Sequence, residues 1–374
     1  MNDEDEILVD EIIKIKNIHV SAYIIPTDFP ESDGTIKWDS TTLVLVEINA
    51  GDKTGIGFSY ADASAAYFIQ HTLPKYIVDK NALQNQSITK NLIHQIRNNG
   101  NCGIAAMAVS AVDNALWDLK AKLFDVPLCN LLGKINDAML LYGSGGFTSY
   151  SDKQTAQQFE DWASQGITHF KMKVGRYPDK DVHRVQAARK AIGNDAKLFV
   201  DANGAYSVKQ ALEKAKQFSE YNVSWFEEPV TSDNLEGLHF IKQHAPEIIN
   251  IAAGEYGYNL PYFNNMLHAD AVDILQADAT RCGGITTFLK AGLLCEAKYI
   301  PFSSHCAPTM HLHASLASSS FYIAEYFHDH ERIENMFFDG VSPPQNGCIY
   351  PDLHQSGFGI EFKHKDAEKY KVLL

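Results

Sequence analysis

Beyond Met139 the sequence repeats one unit eight times. Short apolar runs lie near 140–146, 168–174, 197–201, 223–228, 249–254, 272–277, 298–304 and 321–326, each followed by an amphipathic stretch. Parallel strands need a crossover of a dozen or more residues, usually a helix, and repeats of roughly 20 to 30 residues supply one each time. The series predicts an α/β fold whose strands close into a (β/α)8-type (TIM) barrel. An open doubly wound sheet is the other way to arrange such units. No GxGxxG follows the first strand, which disfavours a nucleotide fold. Local signals agree: Val182, Val185, Ala188 and Ile192 mark one helix face with Gly193 at its end. Ser207 and Gln210 have capping-box spacing at the start of the next helix.

Ahead of the repeat the texture differs. Ile12 to Ile25 is β-branched and alternating, and Thr42–Ile48 and Thr54–Tyr60 read as further strands of an antiparallel meander. The polar, turn-rich stretch Thr27–Ser40 between them reads either as a long loop, of the kind that often forms a lid, or as a floppy hairpin tip. From Ala65 to about Leu132 the pattern turns helical. Ile104, Met107, Ala108, Ala111, Val112, Ala115, Leu116 and Leu119 recur at three- and four-residue spacing, with Asp113, Trp117, Asp118 and Lys120 interleaved as helix-packing residues. Residues 1–10 read as a disordered or loosely attached acidic start, and Phe358–Phe362 alternates like a strand. The expected organisation is an α+β capping domain over residues 1–135, a barrel catalytic domain over 136–346, and a segment, 347–374, that returns to the cap.

Composition narrows the class. The 374 residues are 45% apolar and 21% charged, with no apolar run long enough to span a bilayer, as expected of a soluble protein of about two domains. A net charge of −14 argues against nucleic acid or an anionic membrane as partner. Cys102, Cys129, Cys282, Cys295, Cys306 and Cys348 form no CxxC pair and read as reduced thiols of a cytoplasmic protein. Met1 to Glu6 is acidic where a signal peptide needs a positive start, so none is expected.

The chemistry sits at the strand ends, which in a barrel converge on one mouth. The second strand ends in Lys171 and Lys173, the third in Asp201, and the fourth in Glu227, followed by Glu228 and Pro229. The fifth ends in Glu255, the sixth in Asp278, the seventh in His305 and the eighth in Glu325. A lone carboxylate after a strand is usually a helix cap, but capping does not favour lysine and histidine in such a series. Asp201, Glu227 and Glu255 come from adjacent strands, and all-oxygen ligation of that kind suits Mg²⁺. Alternation puts Lys171 and Lys173 on one face, where each is expected to lower the other's pKa. Asp278 would orient the His305 imidazole, and a protonated Glu325 would hydrogen-bond a developing oxyanion. A base on each side of a dication points to α-proton abstraction from a carboxylic acid, with the enediolate stabilised electrostatically.

The pattern Lys171-x-Lys173, Asp201 with Asn203, Glu227-Glu228-Pro229, Gly254-Glu255, Asp278 and His305 resembles the mandelate racemase subgroup of the enolase superfamily. The likeness extends to the helix Ala111–Lys120, Val126-Pro127 and Leu131-Leu132-Gly133 of that family's capping domain. It implies Asp201, Glu227 and Glu255 as Mg²⁺ ligands and Lys173 as the base on one face, assisted by Lys171. His305 with Asp278 would act on the other face, and Glu325 would be the electrophilic hydrogen-bond donor. Asn203, Glu228 and Arg281 are candidates for supporting or substrate contacts. The resemblance also implies that Thr27–Ser40 and Phe58–Tyr67 cover the mouth and choose the substrate, and that the chain forms a homo-oligomer, a dimer or octamer.

The leading expectation is an acid-sugar dehydratase that forms a 2-keto-3-deoxy acid from a small carboxylate substrate. A racemase or epimerase of a 2-hydroxy acid is the second, and a catalytically silent Mg²⁺-dependent carboxylate-binding protein the third. Several neighbouring features read as structural. His311 and His313 fall on a helix at a spacing that does not share a face, with a pocket-edge role for one of them as the other reading. His328-Asp329-His330 reads as a solvated loop, with contact to substrate as the alternative, and Gly283-Gly284 as a tight turn or an anion contact. Arg176 and Arg281 read as ion-pairing arginines, and Cys306 carries no sign of activation.

Overall fold

The computed structural model describes residues 12–374; the acidic start expected over residues 1–10 lies outside them. Strands β1 (Ile15–Ser32), β2 (Lys37–Ala50) and β3 (Lys53–Tyr60) form an antiparallel meander. One face packs on helices Ala63–Thr72 and Gly103–Leu123 around a core that includes Val44, Val46, Ile69, Val112 and Leu116. Strand and long helix approach so closely that a Cβ on Gly57 would lie 2.2 Å from the Ala115 nitrogen and 2.4 Å from the Ala111 carbonyl oxygen. Only glycine leaves room there.

The stretch Thr27–Ser40 is not the structureless loop that its composition suggests. β1 continues past an irregularity between Pro26 and Glu31 and pairs with β2 as far as Ser32 with Lys37. The result is a two-stranded arm closed by a tight turn, in which Asp33 Oδ1 accepts the Thr35 and Ile36 N–H groups. Prolines are tolerated where the ladder is interrupted, so their presence does not end the strand. Arg176 donates to the Asp33 and Ile36 carbonyls and pins the arm to the barrel.

β4 (Met139–Gly145), β5 (His169–Lys173), β6 (Lys197–Asp201), β7 (Val223–Glu227), β8 (Asn250–Ala253), β9 (Ile274–Ala277), β10 (Phe302–Ser304) and β11 (Phe321–Phe327) pair in sequence order. β11 returns to β4, closing an eight-stranded parallel barrel surrounded by helices. Tyr142, Phe199, Trp225, Ala252, Ile274 and Ile323 form a core cluster inside it, one layer below the strand ends. The expected helix ends are present: Gly193 follows helix Pro178–Ile192, and Ser207 and Gln210 form a reciprocal capping box.

The tail is used three times. Cys348–Ile349 adds an antiparallel pair to β4, Glu361–Phe362 pairs with Phe338–Asp339, and Lys371–Val372 pairs with β1. The alternation at Phe358–Phe362 therefore marks a strand of two residues, not five. Asp118, buried in the long helix, accepts the Ile56 and Phe358 N–H groups and so joins strand, helix and tail. Among the described residues no helix is long and apolar enough to cross a membrane, and the six cysteines are unpaired.

Gly57→Ala is expected to force the meander and the long helix apart, costing about 3 kcal/mol or more. A denaturation midpoint unchanged from wild type would contradict this account of the packing.

Candidate active site

Strand alternation and parallel register build the site. Lys171 and Lys173 both turn into the barrel, while Met172 joins the core between strands and helices. Register aligns Lys173 with Asp201 and Asp201 with Glu227 on adjacent strands. Glu255 follows β8 through Gly254, where φ is +138° and a Cβ would lie 2.0 Å from the Gln276 carbonyl oxygen. One oxygen from each of Asp201, Glu227 and Glu255 lies within 4.8 Å of the others, and all three residues are buried. Glu255 Oε2 has no hydrogen-bond partner. Three hard oxygen donors, one of them unsatisfied and buried, fit a small divalent cation. The cluster is braced from behind: Glu227 Oε2 accepts from Trp225 Nε1 and Gln276 Nε2, both at 3.0 Å, and Asp201 Oδ1 accepts the Asn203 N–H at 2.8 Å.

The lysines do not stand free. Lys171 Nζ lies 2.6 Å from Glu227, 2.8 Å from Glu325 and 3.6 Å from Asp201, and Lys173 Nζ lies 2.5 Å from Asp201. Burial pushes both ammonium groups down, and Lys171 lowers Lys173 further, as expected. The surrounding carboxylates outweigh this, and both lysines sit above the ordinary lysine value. The expected depression is thus reversed, because the acids outnumber the ammonium groups. Glu325 departs from expectation for the same reason. Burial would raise its pKa, but Lys171, His305 and Lys173 hold it below the ordinary range. It is an acceptor here, taking Ser144 Oγ at 2.5 Å and the Cys306 N–H at 2.8 Å.

His305 Nδ1 lies 2.9 Å from Asp278 Oδ2. Burial opposes ionisation of Asp278, but the His305 bond and charge outweigh it and hold the carboxyl well below its usual range. An acceptor on Nδ1 leaves the Nε2 lone pair facing the cavity, 3.3 Å from Glu255 Oε2 and 3.2 Å from Cys306 Sγ. The loop after β9, which carries Asp278, is gripped by the cap. Asn114 Nδ2 donates to the Ala279 carbonyl, Ser59 Oγ to the Thr280 carbonyl, and Asp113 accepts the Thr286 N–H. Gly283 and Gly284 form this turn, and the Gly283 N–H goes to Ser110 Oγ. Of the two arginines, Arg281 reaches the site: it stacks over Tyr256 and lies 3.6 Å from Asp278 and 3.9 Å from Glu255.

Lys173, Asn203, Glu255, Arg281, His305 and Cys306 open onto one cavity of about 480 Å³ beneath the arm. Glu228 is buried beside the cluster, its Oε1 without a partner. His311 and His313 are structural: His311 Nε2 accepts the Ala279 N–H and His313 Nδ1 the Cys129 N–H.

His328-Asp329-His330 is not a solvated loop. It is the first turn of helix His328–Phe337, which follows β11 without a break. His330 is buried, stacks on Tyr60 with ring centroids 3.4 Å apart, and lines the cavity. Tyr60 lies in the stretch Phe58–Tyr67 expected over the mouth, but no local signal in the sequence pairs it with His330. Arg184 is a further omission: it donates to the carbonyls of Lys173, Gly146 and Phe147 and so fixes the backbone at the end of β5.

A capped barrel with this row of strand-end residues has relatives across its whole length. Residues 20–133 match the mandelate racemase / muconate lactonizing enzyme N-terminal domain, and residues 154–367 the family described as enolase C-terminal domain-like. The chain belongs to the mandelate racemase / muconate lactonizing enzyme family of the enolase superfamily. A mandelate racemase/muconate lactonizing enzyme-like protein from Rubrobacter xylanophilus is 47% identical, with a TM-score of 0.94 over 96% of this chain and all of that one. A racemase from Streptomyces coelicolor with bound magnesium is 27% identical, with a TM-score of 0.90 over 96% of this chain and 100% of that one. The L-talarate/galactarate dehydratase of Salmonella typhimurium is 29% identical over 93% of this chain and 89% of its own. Other curated relatives are sugar-acid dehydratases and cycloisomerases.

Saturating Mg²⁺ is expected to raise the thermal midpoint of the wild-type protein, by linkage to binding. Glu255→Gln should remove most of that gain and leave the metal-free protein at least as stable as wild type, since it relieves repulsion among the acids. An equal Mg²⁺-dependent shift in the variant would exclude Glu255 as a ligand.

Proposed function

We propose that the chain is an Mg²⁺-dependent enzyme that abstracts the α-proton of a carboxylate substrate, and that the reaction is dehydration of an acid sugar to a 2-keto-3-deoxy acid. The observation that carries this reading is that Lys173 and His305, the latter held by Asp278, open onto the same cavity. They come from the ends of β5 and β10, with the carboxylates of β6, β7 and the end of β8 on the arc between. Asp201, Glu227 and Glu255 would hold the ion. When bound, Mg²⁺ would withdraw charge from a chelating carboxylate and acidify its α-proton.

This chain's own groups then divide the work. Lys173 must first give up its own proton, which a dication held by Asp201 would favour by offsetting that carboxylate's pull on the ammonium. Its neutral Nζ then takes the α-proton, and the Lys171 ammonium, already between Glu227 and Glu325, offsets negative charge gathering at the substrate carboxylate. His305 serves as the acid in its imidazolium form, with Nδ1–H held by Asp278. It delivers the Nε2 proton to the departing β-hydroxyl, which leaves as water, and the enol then tautomerises to the keto acid. Glu325 stands beside Lys171 to hydrogen-bond the developing oxyanion, a role that requires it to take up a proton in the loaded site. Asn203 and Arg281 reach the cavity wall and serve as substrate contacts, with Glu228 behind them. In this reading residues 1–135 cap the barrel of residues 136–346, residues 347–374 return to the cap, and the working unit is a homo-oligomer. The dehydratases among the relatives support the choice of reaction.

A second reading is a racemase or epimerase, in which Lys173 and His305 exchange the α-proton from either face. The racemase from Streptomyces coelicolor supports it. Incubation of acid sugars with protein and Mg²⁺ in D₂O separates the two. Loss of hydroxyl with appearance of a 2-keto acid is expected; deuterium at the α-carbon with no water lost would favour racemisation. His305→Asn should cut dehydration by about 10²–10⁴ while α-exchange through Lys173 persists. Undiminished dehydration in that variant would remove His305 from the mechanism.

A further inference from the structure

We propose that the substrate is a monocarboxylate whose far end carries hydroxyls and no second acid group. The inference rests on the reading of the site given above and concerns the opposite end of the same cavity. The two permanent cations that line it, Lys173 and Arg281, both stand at the barrel mouth. Both are already engaged there, Lys173 with Asp201, and Arg281 beside Asp278 and Glu255. His330 accepts the Ala307 N–H on Nδ1, and burial holds the ring neutral.

The cap supplies the facing wall, from the arm, the end of β3 and the first turns of helix Gly103–Leu123. Among the described residues that wall contains no lysine or arginine. Its charged groups are Asp33 and Asp62; the rest is aliphatic or aromatic apart from the hydroxyls of Ser40, Thr41 and Thr42, with Ile36 and Ile104 exposed by 59% and 43% at the rim. Arg176, the cation bonded to the arm, is committed to two backbone carbonyls and does not line the cavity. A sugar acid anchored by one carboxylate at the cluster would bring a second carboxylate against this wall. It would find two like charges, apolar surface and the neutral hydroxyls of Ser40, Thr41, Thr42 and Tyr60, but no cation, and a carboxylate brought against like charges without a counter-charge opposes binding. Hydroxyls meet the opposite situation, since carboxylates accept hydrogen bonds from them. The wall therefore selects on charge, independently of stereochemistry.

The test compares aldonic acids with the aldaric acids of matching configuration, using the intact protein with Mg²⁺. Binding is measured by calorimetry, and dehydration by product formation in D₂O. Monoacids are expected to exceed their diacid partners by at least roughly tenfold in affinity and in kcat/KM. Ile104→Arg, which places a cation on the wall at a solvent-exposed helix position, should move that ratio roughly tenfold toward the diacid. A diacid bound and dehydrated as well as its monoacid partner overturns this inference and leaves the dehydratase reading standing. Preferential binding of monoacids without chemistry sinks that reading and keeps this one. Binding of no acid in the panel overturns both.

Discussion

Negative charge concentrated in a nearly dry space governs this molecule. Asp201, Glu227, Glu228, Glu255, Asp278 and Glu325 are all buried at one end of the barrel. Isolated charges in such surroundings are strongly disfavoured, so each must be compensated by a cation, a hydrogen bond or a bound ion. Lys171, wholly buried among Glu227, Glu325 and Asp201 and set over the Tyr142 ring, provides the largest internal compensation. The Glu255 oxygen left without a partner marks where compensation from the protein ends. Backbone strain accompanies the cluster. Asn203, Glu228, Cys306 and Ala307 take left-handed conformations just beyond β6, β7 and β10. Such residues cost on the order of 1–3 kcal/mol each and persist only where the surroundings over-determine them; a closed barrel does so.

Much of this was legible in the chain because the signals are local. Eight apolar runs at crossover spacing determine the barrel, and a period of two places Lys171 and Lys173 on one face without knowledge of any other strand. The strand-end residues follow from position alone, since β6, β7, β9 and β10 end at or within one residue of Asp201, Glu227, Asp278 and His305. What was hidden depends on pairings across long sequence separations. The arm looked like a loop because Pro26, Asp28, Pro30 and Gly34 are turn formers, and only its pairing with β2 makes it a strand. His330 owes its place to Tyr60, 270 residues earlier in the chain. The sign of the lysine pKa shifts was missed because the repelling neighbour lies two residues away, while the carboxylates that outweigh it come from other strands.

The cap does more than cover the mouth. Asp113, Asn114 and Ser110 of its long helix bind the loop that presents Asp278 and Arg281, so the orientation of the histidine partner is referred to the cap as well as to the barrel. Asp113 is buried among Thr89 and Thr286, and burial pushes its carboxyl up to about 6 despite the bonds it accepts. An ionised group retained at that cost fits a positional role better than a stabilising one.

The arm has a consequence of its own. A flexible lid offers a new ligand many shapes, and each replacement in it alters several contacts together. A twisted ribbon, tied down at its tip by Arg176, turns alternate side chains from Ile36 to Ser40 toward the cavity and those between them elsewhere. Natural variants of this chain can therefore revise what they accept through isolated replacements along one side of the ribbon, such as at Ile36, Trp38 or Ser40, without disturbing the acid cluster on which the chemistry depends.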